Sequence, residues 1–155
     1  MGFFPCSLFD IKLTSINESR GYFDLREIND LQVTPTEIER VSPAAWAYVG
    51  DAVYELYFRS YFLLPAKRLH NYHQKVVAKV RAEAQAQDLA LIKPYLTNTE
   101  LEILRRGRNA AFGCPKRLDP EVYQQATSLE ALIGYLYLTD RQRLSEIFTY
   151  LINDD

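Results

Sequence analysis

The chain has 155 residues, nearly half of them hydrophobic and a quarter charged, with a formal net charge of -2. That balance suits one globular domain with a buried core and excludes a disordered or fibrous polypeptide. No apolar stretch approaches the roughly 20 residues of a membrane helix, and the two cysteines, Cys6 and Cys114, make neither a metal pattern nor a disulfide framework.

The first residues, MGFFPCSLFD, lack the basic n-region and long apolar h-region of a signal peptide. Cys6 stands where a myristoylation signal needs serine or threonine. The expectation is a soluble cytoplasmic protein. Its charge is unevenly spread: Lys67 to Lys116 hold ten Lys/Arg against four Asp/Glu, while residues 1–66 hold five against nine and residues 117–155 three against seven. A basic middle between acidic flanks suits an anionic partner, although a solvated helix face gives the same pattern.

Residues 1–33 show poor helical periodicity and a turn-like ESRGY, so they are expected to form an N-terminal arm of short strands or irregular chain. Residues 34–155 form the expected domain. In VTPTEIER, Thr34 can cap, Pro35 suits the first helical position, and Glu37 completes a capping box. Ser42 and Pro43 open a second helix that runs to about Leu64, where Pro65 ends it. One further helix is predicted over residues 69–92, with Val76, Val77, Val80, Ala84 and Leu91 at helical spacing, before Pro94 stops it. Thr97 or Asn98 caps a segment ending in RRGRNA, and Gly113 with Pro115 marks a loop. Residues 120–138 form a long helix, and Asp140 caps a last one through about Ile152. No period-two alternation persists anywhere, so the fold class is all-α, a single helical bundle.

The second helix contains PAAWAYVGDAVYELYF, almost wholly apolar yet carrying Asp51 and Glu55. Their i, i+4 spacing puts both on one face with Cβ atoms roughly 5–6 Å apart, where like charges repel. Such a pair persists if it faces water, finds a cationic partner or holds a metal ion. Gly50 stands directly before Asp51, and a helix-interior glycine costs about 1 kcal/mol relative to alanine. A close backbone or ligand explains it best. Glu130, in ATSLEALIGYLYL, is the only charged residue between Glu121 and Asp140, and Gly134 follows one turn later. Two such helices can cross so that Asp51 and Glu130 converge on a hard cation, Mg²⁺ or Mn²⁺. Each acid could equally form a salt bridge to an arginine from another helix.

Residues 104–117, LRRGRNAAFGCPKR, place Arg105, Arg106 and Arg108 within four positions, followed by Asn109 and Lys116. These are phosphate-compatible donors, and Lys75, Lys79 and Arg81 could extend the surface. A helix C-terminus also favours positive charge for its dipole alone. His70 and His73 stand at i and i+3, but no HExxH or further ligand accompanies them. No P-loop, GxGxxG, GxSxG or CxxC motif is present, which removes those chemistries.

In this order, GDAVYE at 50–55, RRGRNA at 105–110 and EALIG at 130–134 resemble the ribonuclease III catalytic domain, above all its compact branch, Mini-ribonuclease III. LH at 69–70 and AQA at 84–86 also fit, and the likeness covers roughly residues 35 to 150. The resemblance implies a ribonuclease III-type endonuclease bundle with Asp51 and Glu130 as catalytic, metal-binding acids. It departs from the larger enzymes at Ala47 and Thr127, where those carry further acids; the compact branch is similarly reduced. Glu55 becomes either another metal ligand or a residue that orients Asp51. With the chain ending at Asp155, no room remains for a double-stranded-RNA-binding domain, so the basic surface must grip RNA unaided.

The implied activity is Mg²⁺-assisted hydrolysis of double-stranded RNA, with Mn²⁺ as a substitute, by a homodimer leaving 5′ phosphates. The implied substrate is a precursor of large-subunit ribosomal RNA. One alternative is a catalytically inactive, ribonuclease III-like RNA-binding or ribosome-associated subunit, which should have lost the metal acids. Another is an unrelated all-α metal hydrolase acting on nucleotides, which should carry several acids along one helix, as in ExxE.

Overall fold

Thr34 and Pro35 open the first helix as their types predict. The Thr34 hydroxyl accepts from the Glu37 amide while the Glu37 carboxylate accepts from the Thr34 amide at 2.9 Å. The computed structural model describes residues 33–152, and these contain seven α-helices joined by short connections. They are α1 (Pro35–Arg40), α2 (Pro43–Tyr61), α3 (Leu69–Val80), α4 (Ala82–Ile92), α5 (Asn98–Asn109), α6 (Pro120–Thr139) and α7 (Arg141–Ile152). A 3₁₀ turn over Lys93–Tyr95 links α4 to α5. The N-terminal arm expected over residues 1–33 lies, Val33 apart, outside the described residues. Among those described, no helix is long and apolar enough to cross a membrane.

Caps account for most of the helix starts. Ser42 accepts from the Ala45 amide with Pro43 behind it, and Thr97 forms a capping box with Glu100. Asp119 caps α6, and Asp140 accepts from the Arg143 amide to start α7. Glu100 has a second duty. Its carboxylate receives Arg143 at 2.7 Å, a largely buried pair that ties the start of α5 to α7.

Helix α6 is the axis of the bundle. Leu129, Ala131, Leu132 and Ile133 are fully buried, and α2, α4, α5 and α7 all pack around them. The aromatic residues of α2 turn inward: Tyr57 stacks on Phe148 of α7 with centroids 3.8 Å apart, and Tyr54 and Phe58 pack beside them. Burying side chains of this size contributes about 1.5–3 kcal/mol each, which is why so tyrosine-rich a helix reads as core.

The structure corrects one element. Residues 69–92 form two helices, not one, because Arg81 is extended with φ -68 and ψ 154. No glycine or proline marks the break. Beside it the Tyr54 hydroxyl shares its hydrogen between the Lys79 carbonyl at 3.2 Å, at the end of α3, and the Asp88 carboxylate of α4. Only Val76 of α3 is buried, and Val77 is exposed.

Candidate active site

Where α2 crosses α6, the two backbones nearly touch. A Cβ on Gly50 would lie 1.7 Å from the Glu130 carbonyl oxygen, and one on Gly134 would lie 1.9 Å from the Trp46 carbonyl oxygen. The glycine pair therefore permits a crossing that no side chain could. Asp51 follows Gly50 directly and Glu130 lies at the contact, so the crossing itself brings the two acids to one place. Gly107 does the same between α5 and α6, where a Cβ would meet that of Ala131 at 2.6 Å.

Asp51 and Glu130 line one cleft of about 440 Å³, walled by Ala44, Ala47, Gln85, Thr127 and the 110–118 loop. Glu130 is half-buried, and its carboxyl is pushed up to about 7, first by desolvation and then by the Asp51 charge, with the Gln85 amide opposing. Asp51 keeps a side open to solvent. Its carboxyl is raised above the usual range by desolvation at the cleft wall and by Glu55. Two carboxylates that raise their own proton affinity in this way form a site short of positive charge, suited to a hard cation. Both Ala47 and Thr127 line the same cleft, so the positions read as acidic in larger enzymes face it without a charge. Among the described residues no group of three or more His, Cys, Asp or Glu could hold a metal. Asp51 and Glu130 are the two acids that line this cleft.

Glu55, expected either as a further ligand or as the residue that orients Asp51, accepts a charge-assisted pair from Arg59, one turn on, and does not line the cleft. Its effect on Asp51 is through space. His70 and His73 are exposed on α3, away from both acids.

The basic residues separate by helical spacing. Arg105 and Arg108, at i and i+3, line a groove between α4, α5 and α6. Arg105 is paired with Glu102 at 2.7 Å, and Arg108 donates to Gln124 at 3.2 Å. Arg106 points to the other flank, where its guanidinium lies 4.5 Å from the Trp46 ring centroid. Asn109 is exposed at the end of α5, and Lys75 is exposed on α3. Lys79, expected to extend the basic surface, is instead paired with buried Asp88 at 2.9 Å and lies over Phe58. Arg81 and Lys116 flank residues of the cleft wall. Both are exposed, and their neighbours Val80, Ala82 and Pro115 line the cleft.

Sequence reasoning missed Gln85. It lines the cleft at 2% exposure, and its Nε2 has no hydrogen-bond partner. Within AEAQAQ it looks like any uncharged helix former, so composition carried no signal.

The comparisons with known proteins agree with this architecture. The family model described as the ribonuclease III domain matches residues 44–141. A Mini-ribonuclease 3 of Thermosynechococcus vestitus is 52% identical over 128 residues, covering 83% of this chain and 85% of that protein. One of Synechococcus sp. is 53% identical over 122 residues, covering 79% and 88%. A crystal structure of a Fusobacterium nucleatum protein superposes with a TM-score of 0.67 at 30% identity, over 72% of this chain and 93% of that one. The chain belongs to the ribonuclease III family, in its compact Mini-ribonuclease 3 branch.

Proposed function

We propose that this endoribonuclease cleaves double-stranded RNA, with large-subunit ribosomal RNA precursors as its substrate, and that Asp51 and Glu130 are its catalytic, metal-binding pair. The observation that supports the pair is the convergence of two carboxylates from two apolar helices in one cleft, each raising its proton affinity. The residues fit Mg²⁺, or Mn²⁺ in its place, because the donors are hard oxygens. Held by Asp51 and Glu130, such an ion would supply charge neutralisation at the phosphate and a water of lowered pKa. Products ending in a 5′ phosphate require water to add at phosphorus as the bond to the 3′ oxygen breaks, leaving a 3′ hydroxyl.

The chain's own part is to present and shield. Asp51 and Glu130 offer their oxygens in ionised form, so proton release from Glu130 accompanies metal uptake. Ala44, Ala47 and Ala126 give the cleft a low, uncharged wall. Arg81 and Lys116 stand at its rim, where duplex phosphates approach, and Arg105, Arg106, Arg108, Asn109 and Lys75 carry positive or polar character further out. Duplex RNA is read by shape, phosphates and 2′-hydroxyls, which such donors suit. Two copies pair through α2 in this reading, because Ala45, Tyr48, Ala52 and Leu56 recur at helical spacing and are all exposed.

Two measurements test this. Given Mg²⁺, the protein is expected to cut an RNA duplex to 5′-phosphorylated products and to leave either separated strand intact. Tight binding of the duplex without any cutting would instead favour an inactive RNA-binding subunit. Replacing both rim cations, Arg81→Ala with Lys116→Ala, is expected to flatten the slope of log affinity against log salt by roughly 0.7–0.9 per lost phosphate contact. An unchanged slope would remove the rim from the RNA surface.

A further inference from the structure

Gln85 is a buried amide with unmet hydrogen-bonding capacity beside a carboxylate. It sits in mid α4 at 2% exposure and lines the cleft with Asp51 and Glu130, and its Nε2 lacks an acceptor. Glu130 lines the same cleft. Buried amide donors are nearly always satisfied, so one facing a polar cleft points to an acceptor that arrives or turns. Glu130 is the acceptor at hand.

The mounting of Gln85 is rigid. Asp88, three residues on and 6% exposed, receives the Tyr54 hydroxyl from α2 and the Lys79 ammonium at 2.9 Å from α3. These bonds pin α4 against α2, the helix that carries Asp51. The Tyr54–Asp88–Lys79 cluster, otherwise an unexplained set of polar groups in the core, thereby fixes where the Gln85 amide is held relative to both acids.

We propose that Gln85 is a positioning residue: its Nε2–H donates to one oxygen of Glu130 and leaves the other turned toward Asp51 and the ion the two acids share. The proposal rests on the reading of Asp51 and Glu130 as the metal-holding pair. Donors of this kind fix ligand orientation, and their loss typically costs 10–100-fold in metal affinity. Gln85 has no charge to attract an ion, so its contribution is direction.

The test is Mn²⁺ binding to the RNA-free protein, read by electron paramagnetic resonance, for the parent, Gln85→Met and Glu130→Gln. Methionine matches glutamine in length and lacks branching, so it keeps the packing and removes the amide, donor and acceptor together. Gln85→Met is expected to weaken Mn²⁺ binding by about 10–100-fold while its melting temperature holds or rises. Parent-like affinity in Gln85→Met, alongside lost affinity in Glu130→Gln, would overturn the positioning role and leave the metal pair standing. Parent-like affinity in Glu130→Gln would overturn both. If Gln85→Met does not fold, the unaltered protein still decides. Addition of Mg²⁺ should move the Gln85 side-chain amide proton downfield as the bond to Glu130 closes, and a resonance that stays in place would contradict the proposal.

Discussion

Glu130→Gln is expected to lower activity and raise stability at the same time. Cleavage should fall by at least about 100-fold, because a neutral amide replaces one of two oxygen-donor carboxylates in metal-assisted chemistry. Stability should move the other way. The Glu130 carboxyl titrates at about 7 in the folded chain, against an ordinary value of 4.5, so the folded state holds its proton more tightly than the unfolded one. The stability this contributes is fully present below pH 4.5 and lost as pH rises through about 7. Above that pH the ionised parent carries the repulsion between Asp51 and Glu130, and the glutamine variant does not. At pH 8, without divalent ions, the variant should be more stable by on the order of 1–2 kcal/mol, a shift of a few degrees in Tm. At pH 4 the two should melt together. Added Mg²⁺ should stabilise the parent and leave the variant unmoved, since only the parent keeps the complete pair. A variant that melts lower than the parent at pH 8 would show that Glu130 has a cationic partner after all.

Gly50→Ala is the second large effect, and it concerns the fold. Alanine favours a helix interior over glycine by about 1 kcal/mol, so local propensity predicts stabilisation. The crossing predicts the reverse. The new Cβ would lie 1.7 Å from a backbone oxygen of Glu130, and 2.7 Å from the Gly134 nitrogen. Neither neighbour is a flexible side chain, so α2 and α6 must separate along their shared face. Trp46, fully buried, lies at that crossing. The loss should reach about 3 kcal/mol or more, at or beyond the upper end for overpacked cores, and Gly134→Ala should match it. Urea unfolding followed by circular dichroism measures this. A midpoint near that of the parent would mean that the bundle accommodates a wider crossing. Activity should fall even in whatever fraction folds, because Asp51 moves with Gly50.

The helix starts were legible because caps are local chemistry. Thr34, Ser42, Thr97 and Asp140 all accept the amides that their types predict, and Asp119, not singled out in the sequence, does the same for α6. The glycines were legible for a related reason: Gly50 and Gly134 are unfavourable where they stand, which signalled a close approach. What the sequence could not convey was partner choice. The i, i+4 spacing shows that Asp51 and Glu55 can reach one another, but Arg59 is four residues beyond Glu55 and takes it instead. Lys79 reads as a solvated cation in AKVRAE, yet Asp88 and Phe58 draw it into the bundle. Arg105, Arg106 and Arg108 read as one set of phosphate donors, and the structure sends Arg106 to the flank opposite the other two. The break at Arg81 carries no glycine or proline, so no local rule foretells it.

Iron-directed scission tests the central claim most directly, because it reports where an ion sits without relying on activity. With Fe²⁺ in place of Mg²⁺, and ascorbate with peroxide, radicals cut the backbone next to the bound ion. Cuts are expected in two segments together, α2 around Asp51 and α6 around Glu130, and excess Mg²⁺ or Glu130→Gln should suppress both. Cutting confined to one of these helices, or centred on His70 and His73, would contradict a metal site built where α2 crosses α6.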